Sequence, residues 1–122
     1  MTALLAPGSV ALRHVAVPCR ELEPAIRFYE RLGFRRGFGK PDDRGRPVLQ
    51  QMGLGDFFIE LIRGADPVPG GGHIGLSVPD ADRTHAQLIS MGLAAEAPQT
   101  GASGVRYFFI SDPDGNRIEF TS

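Results

Sequence analysis

One pattern occurs twice in this chain. His14 stands 46 residues before Glu60, and His73 stands the same 46 residues before Glu119. A shift of 59 residues maps one pair onto the other. At that shift Val15/Ile74, Val17/Leu76, Leu32/Met91, Gly33/Gly92, Phe34/Leu93, Leu49/Phe108, Ile59/Ile118 and Leu61/Phe120 also match, apolar or glycine on like. Agreement at so many further positions reads as an internal duplication. The fold must then contain one supersecondary unit built twice.

The unit can be read from periodicity. Leu12 to Pro18 alternates, with Val15 and Val17 on one side and His14, Ala16 and Pro18 on the other, as a strand with two unlike faces does. Leu22, Ile26, Tyr29 and Leu32 then recur at helical spacing, Pro24 falls in the tolerant first turn, and Gly33 is placed to end the helix. A weak strand over 34–40, a turn-rich PDDRGRP, a strand over 48–52 and another over 57–62 complete β-α-β-β-β. After a glycine- and proline-rich joint the order repeats: a strand over 73–78, a helix capped by Asp80 and stopped at Gly92, a poor strand over 94–97, and two strands, 105–111 and 117–120, joined by DPDGN. The expectation is an α+β chain of two βαβββ modules, with a flexible leader over 1–11, a first module over 12–63, a linker over 64–72 and a second module over 73–122.

Pleat parity says where the repeated residues point. Ile74, Leu76 and Val78 oppose His73, Gly75 and Ser77, and Ile118 and Phe120 oppose Arg117, Glu119 and Thr121. Each helix must cover the more apolar side. All four His and Glu residues then lie on uncovered faces with Phe58, Ile62 and Arg117, beside the small Ala16 and Gly75, which is how a cavity begins. Two imidazoles and two carboxylates suit a divalent ion such as nickel, zinc, cobalt, manganese or iron, neutralise its charge, and leave room for a substrate presenting two oxygens. The set His14, Glu60, His73 and Glu119 is therefore the candidate metal site, with Arg117 and Phe58 as substrate-binding candidates. Tyr107, Phe109 and Gln50 stay open, because their parity depends on strand pairing. His85 sits between Ala81 and Leu88 on the apolar stripe of its helix and is assigned to packing.

Composition narrows the partners. The chain has 122 residues, 42% of them hydrophobic, enough for one compact domain with a core. Thirteen basic and fourteen acidic residues leave a net charge of −1, with no footprint for nucleic acid or an anionic membrane. The lone Cys19, read as a small half-buried apolar residue, suits a reducing cytoplasm, and no apolar run approaches the ~20 residues of a membrane span.

The segments HVAVPCRELEPAIRFYERLGF, FFIELI, HIGLSVPDADRTHAQLISMGL and YFFISDPDGNRIEF resemble the vicinal oxygen chelate superfamily, which includes glyoxalase I, extradiol dioxygenases and bleomycin-binding proteins. The resemblance implies glyoxalase-like paired half-barrels around a divalent metal, usually in a homodimer. It places His14, Glu60, His73 and Glu119 on the four ligand positions of glyoxalase I, with His14 and Glu60 of one chain meeting His73 and Glu119 of the other. Some relatives take all four from one chain. Ring-cleaving dioxygenases use only two His and one Glu, so the fourth ligand favours lyase or isomerase chemistry, in which a ligand carboxylate moves a proton. Glu119 is preferred over Glu60 as that catalytic base, because Arg117 beside it could hold a substrate anion. Pro18 stands where glyoxalase I has an arginine for glutathione, so a small acid, ketone or sugar-like metabolite is expected instead. The alternative is a metal-free, drug-binding resistance protein of the same fold.

Overall fold

The computed structural model describes residues 7–9, 13–64, 73–101 and 104–122. Most of the leader expected over 1–11, and residues 65–72 of the expected linker, lie outside them. In chain order the elements are β1 (His14–Cys19), α1 (Leu22–Arg31), β2 (Arg35–Pro41), β3 (Pro47–Leu54), β4 (Phe57–Arg63), β5 (Ile74–Ser77), α2 (Ala81–Ser90), β6 (Gln99–Thr100), β7 (Arg106–Ser111) and β8 (Arg117–Thr121). They form two four-stranded sheets, β1-β4-β3-β2 and β5-β8-β7-β6, each with one parallel pair, β1 with β4 and β5 with β8, and antiparallel pairing elsewhere. This is the α+β fold of two βαβββ modules. None of the described helices is long and apolar enough to cross a membrane.

Both helices end as the glycines require. Gly33 and Gly92 follow their helices at φ +100° and +84°, a conformation that other residues adopt only at a cost. Asp80 caps α2 by accepting from the Arg83 N–H, whereas Glu21 at the head of α1 makes no such side-chain bond. Leu22, Ala25, Ile26 and Tyr29 of α1 and Ala81 and Leu88 of α2 are buried in one core with Met52, Ile59, Leu61, Phe108, Ile118 and Phe120. His85 meets Phe108 edge to face at 5.1 Å, so it packs as expected. Cys19 is fully buried, deeper than the half-buried position expected for it.

Two expectations need correction. The strand anticipated over 94–97 is instead the short β6, with only Glu96 N–H bonded to Phe109 O (2.9 Å) along the anticipated stretch. Pro98 has no N–H to give a ladder, and alanines make poor strands. The match of Leu49 with Phe108 also fails in space. Phe108 pairs with Phe120, but Leu49 pairs with Ile62, and it is Gln50 that faces Leu61. The cause is turn length: Gly55 and Asp56 alone connect β3 to β4, whereas Asp112 to Asn116 connect β7 to β8, so the pairing register moves by one residue.

The halves are tied by that longer turn. Asp112 is buried and accepts from the Tyr29 hydroxyl of α1 (2.9 Å), the Asn116 amide (2.7 Å), and the backbone N–H groups of Asp114 (2.9 Å) and Asn116 (2.8 Å). Asn116 also donates to Pro18 O (2.7 Å) and Asp114 accepts from Arg20 N–H (2.8 Å), so the β7-β8 turn grips the end of β1.

Candidate functional site

Strand register places the site residues in transverse rows. Side chains of directly paired residues emerge on one face. In the first sheet, His14 pairs with Phe58 and Phe58 with Gly53, while Ala16 pairs with Glu60 and Glu60 with Gln51. In the second, Gly75 pairs with Glu119 and Glu119 with Phe109, and Ser111 pairs with Arg117. These rows lie opposite the core residues Met52, Ile59, Leu61, Ile118 and Phe120, on the faces that the helices leave bare.

Each half brings its histidine to its glutamate. His14 Nε2 is 3.3 Å from Glu60 Oε1, and His73 Nε2 is 3.5 Å from Glu119 Oε1. Small neighbours keep the space: a Cβ on Gly75 would touch Glu119 Oε1 at 3.6 Å. The two pairs do not converge within the chain. Among the described residues no group of three or more His, Cys, Asp or Glu is placed to hold one ion.

The surroundings of the pairs differ. Phe58 stacks on His14 with ring centroids 5.1 Å apart, and Arg13 lies 5.3 Å above the Phe58 ring. Gln51 Nε2 donates to Glu60 Oε2 (2.9 Å), which leaves Oε1 turned to His14. Around the second pair, Phe109 meets His73 edge-on at 5.1 Å and carries the Arg117 guanidinium 4.0 Å above its ring. Arg117 Nη2 also donates to Glu96 Oε2 at 2.6 Å, so the charge foreseen for a substrate anion already faces a carboxylate. Glu119 has His73 as its one side-chain partner among the described residues.

Of the residues left open, Phe109 and Tyr107 share the bare face with Glu119 by register, and Tyr107 donates to Gln99 Oε1 (3.3 Å). Gln50 does not join that face. Its amide donates to the carbonyls of Gly37 (3.0 Å), Phe38 (3.3 Å) and Gln51 (3.0 Å), filling an irregularity in β2 where the register slips between Arg36 and Gly39. Gln51 carries no signal in the sequence pattern; its pairing with Glu60 across β3 and β4 is what identifies it.

Two shallow grooves flank the pairs. One of ≈350 Å³ is bordered by Arg35, Gly37, Gln51, Gly53 and Phe58, the other of ≈360 Å³ by the 93–96 segment, Phe109, Ser111 and Arg117.

The comparisons with known proteins agree with this architecture. An alignment of 117 residues with the Uncharacterized protein YwbC of Bacillus subtilis (strain 168) is 33% identical and covers 88% of this chain and 93% of that protein. The crystal structure of lactoylglutathione lyase from Agrobacterium tumefaciens shares the fold at a TM-score of 0.76, with 23% identity over 95% of each chain. TnmS3, an antibiotic binding protein from Streptomyces sp. CB03234, superposes at 0.75 with 27% identity, over 93% of this chain and 95% of its own. The sequence model for the Glyoxalase/Bleomycin resistance protein/Dioxygenase superfamily matches residues 11–120, and with the paired βαβββ modules this makes the chain a member of that superfamily.

Proposed function

We propose that the chain is a metal-dependent lyase or isomerase of the glyoxalase type, acting as a homodimer on a small substrate with two neighbouring oxygens. The observation that carries this reading is the donor set: one His–Glu pair on the bare face of each sheet, at 3.3 and 3.5 Å, with no third donor beside either among the described residues. Two donors ~2.1 Å from one ion at right angles stand about 3 Å apart, so each pair has the spacing of shared ligation. A pair alone is half a site. A second copy that lays His73 and Glu119 against His14 and Glu60 completes it and covers two polar faces at once.

A divalent ion held by His14, Glu60, His73 and Glu119 would supply Lewis acidity toward two adjacent substrate oxygens. The chain's own groups do the rest. Phe58 gives the substrate a flat apolar floor beside His14. Glu60 is kept in one rotamer by Gln51 and serves as a fixed donor. Glu119, bonded only to His73 among the described residues, is the carboxylate left to move a proton: it takes one from a carbon beside a carbonyl and returns it. Arg117, braced by Glu96 and Phe109, borders the groove on that side and offers its remaining N–H donors to the substrate.

The test is metal analysis of protein purified without added metal, followed by incubation with 2-keto and 2-hydroxy compounds in deuterated water. Bound metal is expected, with deuterium entering at the carbon beside the carbonyl and falling about 10²–10⁴-fold in Glu119→Gln. A protein that takes up no metal, exchanges nothing and binds an antibiotic tightly is instead a binder in the manner that TnmS3's name describes. Oxygen consumption with a catechol would point to the dioxygenase branch.

A further inference from the structure

One transverse row of the first sheet runs Arg35, Gly53, Phe58, His14 across all four strands. Adjacent strands lie about 5 Å apart, so Arg35 stands two strands from Phe58 and three from His14 on one face. Gly53 keeps the ground between them empty: a Cβ there would meet nothing closer than Arg35 O at 3.9 Å. The resulting groove of ≈350 Å³ has the volume of a small-molecule site, with Phe58 at one end.

The charges around it are uneven. Arg36 donates to Glu23 and Glu30, Arg63 and Arg46 share Asp42, Arg106 pairs with Asp82, and Arg117 pairs with Glu96. Arg35 and Arg13 have no carboxylate partner among the described residues, yet both border Phe58. Lys40, paired with Leu49 on the same face, adds another cation to the edge strand. Among the described residues no carboxylate borders the groove. Glu60, one row away, already has Gln51 and His14 on its oxygens.

We infer that this groove receives the remote end of the substrate: a small carboxylic acid whose carboxylate pairs with Arg35 and whose flat apolar part lies on Phe58, with its other end at His14 and Glu60. Guanidinium and carboxylate match two N–H donors to two oxygens, and the ring gives the intervening carbons a surface. This inference takes its orientation from the function proposed above. Recognition of the carboxylate needs no metal, so the two can fail separately.

The probe is 3-phenylpropionate, a flat ring and a carboxylate with no second oxygen beside it, with its neutral methyl ester as reference, titrated into the full-length protein by calorimetry with and without chelator. Wild type should bind the acid at least tenfold more tightly than the ester, in metal-free protein as well. Arg35→Ala should abolish that preference without changing ester affinity, Arg35→Lys should restore part of it, and Phe58→Ala should weaken acid and ester alike. Arg44→Ala, which removes the same charge from an exposed turn, should keep the preference. No acid-over-ester preference in wild type, or one that survives Arg35→Ala, overturns the inference. An Arg35-dependent preference in a protein that never takes up metal leaves the groove standing and sinks the metal-dependent function.

Discussion

Glu60 and Glu119 occupy matching places in the two halves but not matching surroundings. Glu60 has an amide donor on one oxygen and His14 on the other, whereas Glu119 faces a phenyl ring across its row and, among the described residues, has His73 alone as a side-chain partner. Groups that orient a ligand are felt in affinity, so Gln51→Leu should weaken divalent-metal binding about 10–100-fold while leaving the chain folded, as a competition titration against a chelating dye would measure. Unchanged affinity would mean that Gln51 does not position Glu60. A second residue-scale consequence concerns pH. Burial, with Asp114 and Asp112 nearby, pushes the Cys19 thiol from 9.0 up to about 11, and burial beside Asp112 raises Tyr29 from 10.0. Both groups are acids held neutral in the fold. Stability is therefore intact below pH 9 and falls as pH rises toward 11, by up to ~1.4 kcal/mol per pH unit for Cys19, with Tyr29 adding to the slope above pH 10. Urea midpoints measured from pH 8 to 11 should show this decline, and Cys19→Ala should make it shallower.

Among the elements, the turns decide more than the strands. Asp42 to Arg46 and Asp112 to Asn116 are the same five-residue turn: each aspartate accepts two backbone N–H groups, donates its own N–H to the fifth residue, and precedes a glycine at φ +78° or +87°. They serve different hairpins, β2-β3 in the first half and β7-β8 in the second. Only the second is buried against the other module, where Asp112 bonds Tyr29. Asp112→Ala strands four donors and should cost about 3–5 kcal/mol, while Tyr29→Phe removes one bond to a carboxylate and should cost about 1.5–3 kcal/mol. Asp42→Ala, at an exposed turn, should cost much less. Equal losses in urea unfolding for Asp42→Ala and Asp112→Ala would refute a locking role for the second turn.

For the whole molecule, the issue is how two half-sites become one. If the pairs meet across a dimer, a chain carrying His14→Ala and Glu60→Gln has one intact pair, and a chain carrying His73→Ala and Glu119→Gln has the other. Neither should bind metal tightly alone. Refolded together, each mixed dimer should regain one complete site, so statistical mixing restores roughly a quarter of the wild-type sites. Metal content after gel filtration measures it. No recovery in dimers shown by mass spectrometry to be mixed would mean that all four ligands come from one chain.

The duplication, the βαβββ order of each half and the bare-face placement of His14, Glu60, His73 and Glu119 could be read from the sequence, because periods of 2 and 3.6 and a constant 59-residue shift are local properties of the chain. Cross-strand neighbours are not local. That Gln51 rather than Gln50 stands beside Glu60, that Arg35 shares a row with His14, and that Arg117 is bonded to Glu96 all depend on register. Register is set by a two-residue turn in one half and a five-residue turn in the other; this moves the pairing by one residue, and a one-residue shift exchanges the faces of every side chain on the strand before the turn.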